Sequence, residues 1–157
     1  SVLDAMTAAD IVAVDPKREA RGLAERLGAS ETIDPEAEDV AAAVAAVTDD
    51  RGVAQTLDFV GGDDTLGYAG DVLAAGGDHH VVGYGGHVHE PAQALVDGEF
   101  SFRGTLVGTY TELQELVALV EGGEVDLVTT EYALEDINEV AAKLQRGEIE
   151  GRAVITP

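Results

Sequence analysis

The feature of this sequence that most restricts its fold is a regular alternation between two kinds of segment. Short runs rich in valine and isoleucine alternate with longer amphipathic stretches along the chain. This alternation is typical of strand–helix–strand units, in which parallel strands form a sheet and helices cover both of its faces. The sequence therefore predicts an α/β protein with a doubly wound parallel sheet.

The ends of the predicted elements carry the residues that such ends favour. Ile11 to Val14 is predicted to be a buried strand, and a helix is predicted over 16–27, with Asp15 at its N-cap and Gly28 just past its end. The other predicted strands cover 31–33, 53–60, 79–84, 102–109, 125–132 and 152–155. The other predicted helices open at Asp34-Pro35 or cover 64–74, 112–121 and 135–145, and Gly76-Gly77 is expected to form a turn.

Length and composition exclude several functions. The 157 residues, 45% of them apolar, predict one domain over 1–157. The absence of cysteine excludes disulfides, thiolate metal sites and cysteine nucleophiles. No apolar run reaches the ~18 residues of a membrane-spanning helix, and no signal-peptide pattern opens the sequence, so we expect a cytoplasmic protein.

The charge balance is strongly acidic, with 31 acidic against 9 basic side chains and a formal net charge of -22. Nucleic acids and anionic membranes are polyanions that would repel such a surface, so neither is expected as a partner. The composition predicts a halophilic source, because salt would screen the self-repulsion of the chain. The alternative is an ordinary acidic protein that needs no salt to stay folded.

Three predicted strands end in glycine, at 59–62, 82–86 and 107–109. In an open parallel sheet, ligands bind at the carboxyl ends of the strands, where a missing Cβ lets the backbone approach a flat ring or a phosphate. One such glycine indicates only a turn. Several successive ones favour a ligand-binding crevice.

Two charged residues are candidates for contacts with such a ligand. Asp15 follows a strand, where a carboxylate can accept hydrogen bonds from a ribose diol, although an acid in this position often serves only as a helix cap. Arg152 lies beside Gly151, and its planar guanidinium suits a phosphate. The alternative for Arg152 is a surface ion pair with one of the many acids.

The four histidines raise the question of a metal site. His87 and His89 could chelate an ion from one face of an extended segment, but no third ligand at a fixed spacing is evident. His79 and His80 are expected to point to opposite faces of a strand. No metal ligand is therefore predicted. No Gly-x-Ser-x-Gly motif is present, and no catalytic residue is predicted.

Taken together, these segments resemble the cofactor-binding domain of the medium-chain, zinc-type alcohol dehydrogenase family. The resemblance covers nearly the whole chain and implies a Rossmann-like fold that binds NAD. Its pieces, in order, are Ile-Val-Ala-Val-Asp at 11–15, Thr-Leu-Asp-Phe-Val-Gly at 56–61, Ala-Gly-Gly at 75–77, Val-Val-Gly at 81–83, Phe-Arg-Gly-Thr-Leu-Val-Gly-Thr-Tyr at 102–110 and Leu-Gln-Arg-Gly-Glu-Ile-Glu-Gly-Arg-Ala-Val-Ile at 144–155.

The resemblance implies a role for each matching position. Asp15 would hold the adenosine ribose and favour NAD over NADP, whose additional phosphate it would repel. The other predicted cofactor-binding residues are Phe59, Val60, Gly61, Gly83, Tyr84 and Arg152. Phe59 and Val60 would form the strand end near the adenosine side and the nicotinamide ribose. Gly83 and Tyr84 would hold the nicotinamide carboxamide, and the arginine would lie near the pyrophosphate.

Two parts of the family pattern have no counterpart in this sequence: the first strand with its Gly-x-Gly-x-x-Gly turn, and the catalytic domain with its zinc ligands. The missing strand is central in the family's sheet, so its loss leaves a gap of roughly 10 Å between strands that normally pair at ~4.8 Å. We therefore expect an incomplete or rearranged sheet. Either the chain is a fragment of a larger enzyme, or its strands reorder, or a second copy replaces the lost pairing.

The resemblance implies the NAD-binding domain of a zinc-type alcohol, polyol or sugar dehydrogenase, inactive by itself, with zinc only in the absent domain. It also implies a homodimer, since family members pair sheets edge to edge, and residues 105–110 would form the contact. The alternatives are a zinc-free quinone or enoyl reductase of the same superfamily, a nucleotide-sensing or interaction module without catalysis, and a methyltransferase-like domain that binds S-adenosylmethionine.

Overall fold

A computed structural model describes all 157 residues of the chain. Its strands and helices, in chain order, are α1 (Val2–Met6), β1 (Val12–Val14), α2 (Arg18–Arg26), β2 (Glu31–Ile33), α3 (Val40–Val47), β3 (Val53–Asp58), α4 (Asp63–Gly67), α5 (Ala69–Val72), β4 (Leu73–Val81), α6 (Ala92–Gly98), β5 (Ser101–Gly104), α7 (Tyr110–Glu121), β6 (Thr129–Ala133), a 3-10 turn (Leu134–Asp136), α8 (Ile137–Gln145) and β7 (Arg152–Thr156). None of the helices combines the length and the apolar character needed to cross a membrane.

The contacts of the chain group into two compact units. The unit of residues 33–109 is built on three parallel strands in the order β3, β4, β5. Helices α4 and α5 connect β3 to β4, and α6 connects β4 to β5. Most of the buried apolar side chains belong to this unit, where α3 packs against α5. They are Ile33, Val40, Val44, Leu66, Ala69 and Val72.

The other unit combines residues 1–32 with 110–157 and contains two small sheets. One pairs β1 with β2, and the other pairs β6 with β7 in parallel. Helix α2 packs on β1, and α8 packs on β6. Val125 and Val140 are its buried apolar residues, and ion pairs such as Lys143–Glu139, at 2.8 Å, lie on its surface.

Parallel strands that alternate with helices confirm the predicted α/β class. The strands fall into three small sheets, which agrees with the expectation of an incomplete sheet.

The helix predicted to open at Asp34 begins later. Asp34 Oδ1 instead accepts a hydrogen bond from the Glu36 amide at 3.0 Å, which closes a turn. Helix α3 starts at Val40, where Asp39 Oδ1 accepts from the Ala42 amide at 3.0 Å and caps the helix. The predicted helix start at Asp34 is therefore wrong, and the capping aspartate is Asp39.

The segment between β3 and the end of β4 also differs from its prediction. The helix expected over 64–74 is divided into α4 and α5, and the chain becomes extended at Leu73. Gly76-Gly77 lies inside β4 as part of a bulge, because Val53 pairs with Leu73 while Gln55 pairs with Asp78. Helix α6 was not predicted.

Two predicted strands end early for identifiable reasons. Strand β3 ends at Asp58, because the Asp58 carboxylate binds the amides of Val60 and Gly61. Strand β5 ends at Gly104, because its partner β4 stops at Val81.

Candidate functional site

The backbones of β3 and β4 meet closely just past their carboxyl ends. A Cβ built on Gly61 would overlap the Gly83 carbonyl, and one built on Gly83 would overlap the backbone of Phe59 and Val60. Gly61 has a φ of 63°, in the left-handed region that favours glycine. The structure thus brings five predicted site residues into one place, the fifth being Tyr84, whose amide lies against Gly61.

Large side chains at these strand ends are exposed to solvent. The exposed fractions are 71% for Phe59, 67% for Val60 and 91% for Tyr84. Apolar groups beside glycine backbone form a surface that the flat ring of a ligand can cover. The arrangement is therefore suited to binding a ligand.

A buried carboxylate beneath these residues fixes the shape of the β3 end. Asp58, 8% exposed, accepts hydrogen bonds at Oδ1 from the amides of Val60, at 2.9 Å, and Gly61, at 2.8 Å. Its other oxygen, Oδ2, accepts from the Thr65 hydroxyl at 2.8 Å. Asp58 is a positioning residue, because its hydrogen bonds hold the turn formed by residues 59–61.

His79 on β4 packs beside Asp58 and is 1% exposed. Its Nδ1 lies 2.5 Å from the Thr56 hydroxyl, and its ring lies 4.9 Å from that of Phe102. Its Nε2 has no hydrogen-bond partner and lies 4.0 Å from Asp58 Oδ2. Burial lowers the pKa of His79 below its ordinary value, and the nearby Asp58 carboxylate opposes that shift.

Asp15 lies in the other unit, at the carboxyl end of β1, and is half-buried. Its Oδ1 accepts a hydrogen bond from the Lys17 amide at 2.8 Å, while Oδ2 makes no hydrogen bond within the chain. The Arg21 guanidinium donates to the carbonyls of Asp15, at 2.7 Å, and Pro16, at 2.9 Å, which steadies the turn. Helix α2 begins at Arg18, with Lys17 as its N-cap, so Asp15 is not the residue that caps it.

Arg152, the first residue of β7, belongs to the same unit as Asp15 and is exposed. Its guanidinium donates to the Gly151 carbonyl at 3.2 Å and forms no ion pair. The surface ion pair considered for Arg152 is therefore absent, although the chain has 31 acids.

Sequence reasoning missed Asp58 and His79 as parts of this site. The available signal for Asp58 was an acid at the end of an apolar strand, three residues before a glycine. The hydroxyl of Thr65 that completes its binding lies seven residues farther along and becomes a neighbour only through the fold.

Comparisons with known proteins identify the family of this chain. Residues 1–122 match the family model described as zinc-binding dehydrogenase. The NAD-dependent alcohol dehydrogenase of Saccharolobus solfataricus is 30% identical over 158 residues, covering 99% of this chain and 46% of that protein. The D-arabinose 1-dehydrogenase (NADP(+)) of the same organism is 30% identical over 148 residues, covering 94% of this chain and 42% of that protein.

A solved structure gives the same result. The alcohol dehydrogenase of the hyperthermophilic archaeon Aeropyrum pernix superposes with a TM-score of 0.92 at 41% identity, covering 99% of this chain and 45% of that one. The chain thus spans about half the length of the relatives it matches. On the family match and the shared fold, this chain belongs to the zinc-binding dehydrogenase family.

Proposed function

We propose that the chain is the NAD-binding domain of an alcohol, polyol or sugar dehydrogenase. The observation that carries the proposal is the state of Asp15. Its carboxylate is held in place by the Lys17 amide through one oxygen, and the other oxygen is free to accept hydrogen bonds from a ribose diol. The family match and the NAD-dependent alcohol dehydrogenase among the relatives support this assignment.

The strand ends of β3 and β4 would hold the nicotinamide half of the cofactor. Gly83 and Tyr84 would bind the carboxamide through their backbone, and the exposed Phe59 and Val60 would cover the nearby ribose. Arg152, free of any carboxylate partner, would pair with the pyrophosphate. The bound nicotinamide would supply the hydride chemistry, while the residues of this chain bind and orient it and are inactive by themselves.

Asp15 would also determine which nicotinamide dinucleotide is preferred. The two relatives from Saccharolobus solfataricus carry different cofactors in their names, NAD in one and NADP(+) in the other, so overall similarity does not decide the choice. A carboxylate beside the ribose would repel the additional 2′-phosphate of NADP. We therefore infer a preference for NAD.

The family's zinc is not assigned to this chain. The sequence contains no cysteine, so it offers none of the thiolates that zinc sites commonly use.

Calorimetry with NADH tests the cofactor assignment. We expect saturable binding by the wild type, a loss of at least about tenfold in affinity for Asp15→Ala, equal to 1.4 kcal/mol, and unchanged binding for Asp10→Ala. Asp10 is a matched control because it is an exposed acid near the other end of the same strand. Absence of binding would leave only a structural or vestigial role, and an equal loss in both variants would contradict the role assigned to Asp15.

We also infer a halophilic source and a cytoplasmic location. A net charge of -22 makes the compact chain repel itself, and added salt screens that repulsion. The thermal unfolding midpoint should therefore rise steadily as KCl is raised to molar concentration. A midpoint independent of salt would indicate an ordinary acidic protein.

A homodimer through the edge of β5 is part of the same proposal. Strand β5 has β4 as its one neighbour, and the residues that follow it are exposed: Leu106 by 84% and Val107 by 85%. Light scattering should give a dimer mass for the wild type and a monomer mass for Leu106→Asp. A monomer in both cases would exclude this contact.

A further inference from the structure

A second group of polar side chains lies apart from the residues assigned to the cofactor. Asp63, the first residue of α4, and His87 and His89, in the segment after β4, place their ligand atoms within 4.8 Å of one another. Asp63 Oδ1 lies 3.5 Å from His87 Nδ1, and the two imidazole rings are 5.7 Å apart at an angle of 33°. The function proposed above uses none of the three.

Backbone contacts hold Asp63 and His87 in place. The His87 amide donates to Asp63 Oδ1 at 2.7 Å, and the Gly86 amide donates to the Gly61 carbonyl at 2.7 Å. A Cβ on Gly86 would lie 2.5 Å from the Asp63 amide nitrogen and 2.6 Å from its Oδ1, so only glycine permits this approach. The two loops are therefore joined before any ion binds, which lowers the entropic cost of binding.

The chemistry of the group is that of a metal ligand set. Two imidazoles and one carboxylate are ligands that Zn²⁺ and similar first-row transition ions prefer. The carboxylate retains lone pairs after accepting one backbone hydrogen bond. The side chains of Asp63 and His87 are 66% and 76% exposed, which leaves coordination positions open to water. The strongly acidic chain also raises the local concentration of cations.

Neighbouring acids do not complete the group. The Glu90 carboxylate is directed at Gly70 of α5, where a Cβ on that glycine would lie 2.9 Å from Oε1. The group therefore offers three protein ligands to an ion, and water would fill the remaining positions.

We propose that Asp63, His87 and His89 form a binding site for a divalent transition metal ion of the Zn²⁺ type. The ion would clamp the segment after β4 to the start of α4. This site adjoins the strand ends described above but does not depend on nucleotide binding.

Titration with Zn²⁺ alone tests the site, in molar KCl and excess Mg²⁺ so that diffuse attraction to acids is suppressed. We expect one Zn²⁺ per chain, and a spectrum of nitrogen-ligated Co²⁺ when cobalt replaces zinc. His89→Gln should lower the Zn²⁺ affinity by at least about tenfold, because replacing even a residue that only hydrogen-bonds to a metal ligand typically costs that much affinity. Asp63→Asn should also lower the Zn²⁺ affinity.

Two matched variants serve as controls. His80→Gln removes a histidine outside the group, and Asp64→Asn removes the adjacent exposed acid, so both should keep wild-type Zn²⁺ affinity. Circular dichroism of every variant would verify folding. Absence of saturable Zn²⁺ binding, or binding that survives His89→Gln, would overturn the proposal whatever the result with NADH.

Discussion

Asp15 and Asp58 occupy the same kind of position and are used differently. Each stands at the carboxyl end of a short strand. Asp58 is buried and accepts hydrogen bonds from three donors of its own chain through both oxygens. Asp15 is half-buried and accepts from one donor through one oxygen. The number of internal donors therefore separates an acid that shapes the backbone from one that remains available to a ligand.

The surroundings explain this difference. After Asp58 the chain turns so that the amides of Val60 and Gly61 both reach the carboxylate, and Thr65 of α4 adds a hydroxyl. After Asp15 the Lys17 amide alone returns to the side chain, and Arg21 bonds to the carbonyls of the turn instead of the carboxylate. Both carboxylate oxygens of Asp58 therefore have donors within the chain, whereas one oxygen of Asp15 has none.

The largest expected effect on stability separates these two acids. Asp58→Ala leaves the amides of Val60 and Gly61 without an acceptor and removes one of the two acceptors of the Thr65 hydroxyl, so it should lower the free energy of unfolding by about 3 kcal/mol. Asp15→Ala removes one exposed hydrogen bond and should cost less than about 1 kcal/mol. Urea unfolding followed by circular dichroism measures both. A similar loss of unfolding free energy in the two variants would mean that Asp58 does not shape the backbone more than Asp15 does.

A second, smaller effect concerns the close approach of β3 and β4. Gly83→Ala places a methyl group into the backbone of Phe59 and Val60 and should cost about 2 kcal/mol, within the usual range for overpacking. Gly104→Ala is the matched control, since a Cβ on Gly104 meets nothing within 4 Å. Thermal unfolding of the two variants should differ clearly. A Gly83→Ala protein as stable as the control would mean that the strand ends are not packed as described.

The smallest effect is the pH dependence contributed by His79. Burial lowers its pKa from the ordinary 6.5, so near that pH the unfolded chain takes up a proton that the native chain does not. Stability should therefore fall as the pH drops through 6.5 towards the lower native pKa, and this contribution should be constant above 6.5.

Urea unfolding at several pH values measures this slope. His79→Gln should lose its part of the slope, while His80→Gln on the same strand keeps it. If the slope of the wild type minus that of His79→Gln has the opposite sign, the Asp58 carboxylate, 4.0 Å away, dominates over burial in setting the pKa of His79.

Local sequence patterns were sufficient for the class of fold and for part of the site. Valine-rich strands ending in glycine predicted that Gly61 and Gly83 lie at a shared edge, because parallel strands present their carboxyl ends together. The same patterns placed Asp15 at the end of β1. These features depend on residues that are adjacent in the sequence.

Features that depend on distant residues were not predictable in this way. The third member of the Asp63–His87–His89 group is 24 residues from His87, so the two histidines alone showed no site. The bulge that draws Gly76-Gly77 into β4 follows from pairing with β3, not from the glycines themselves. Likewise, β5 ends where its partner ends, and local propensity for strand structure does not reveal that point.

The relative affinity for NADH and NADPH shows whether Asp15 accepts hydrogen bonds from a cofactor ribose. For the wild type in molar salt, calorimetry should give an affinity for NADH at least about tenfold above that for NADPH, and Asp15→Ser should reduce that ratio towards one. Equal affinities in the wild type, or a preference for NADH that Asp15→Ser leaves unchanged, would mean that Asp15 does not bind the ribose.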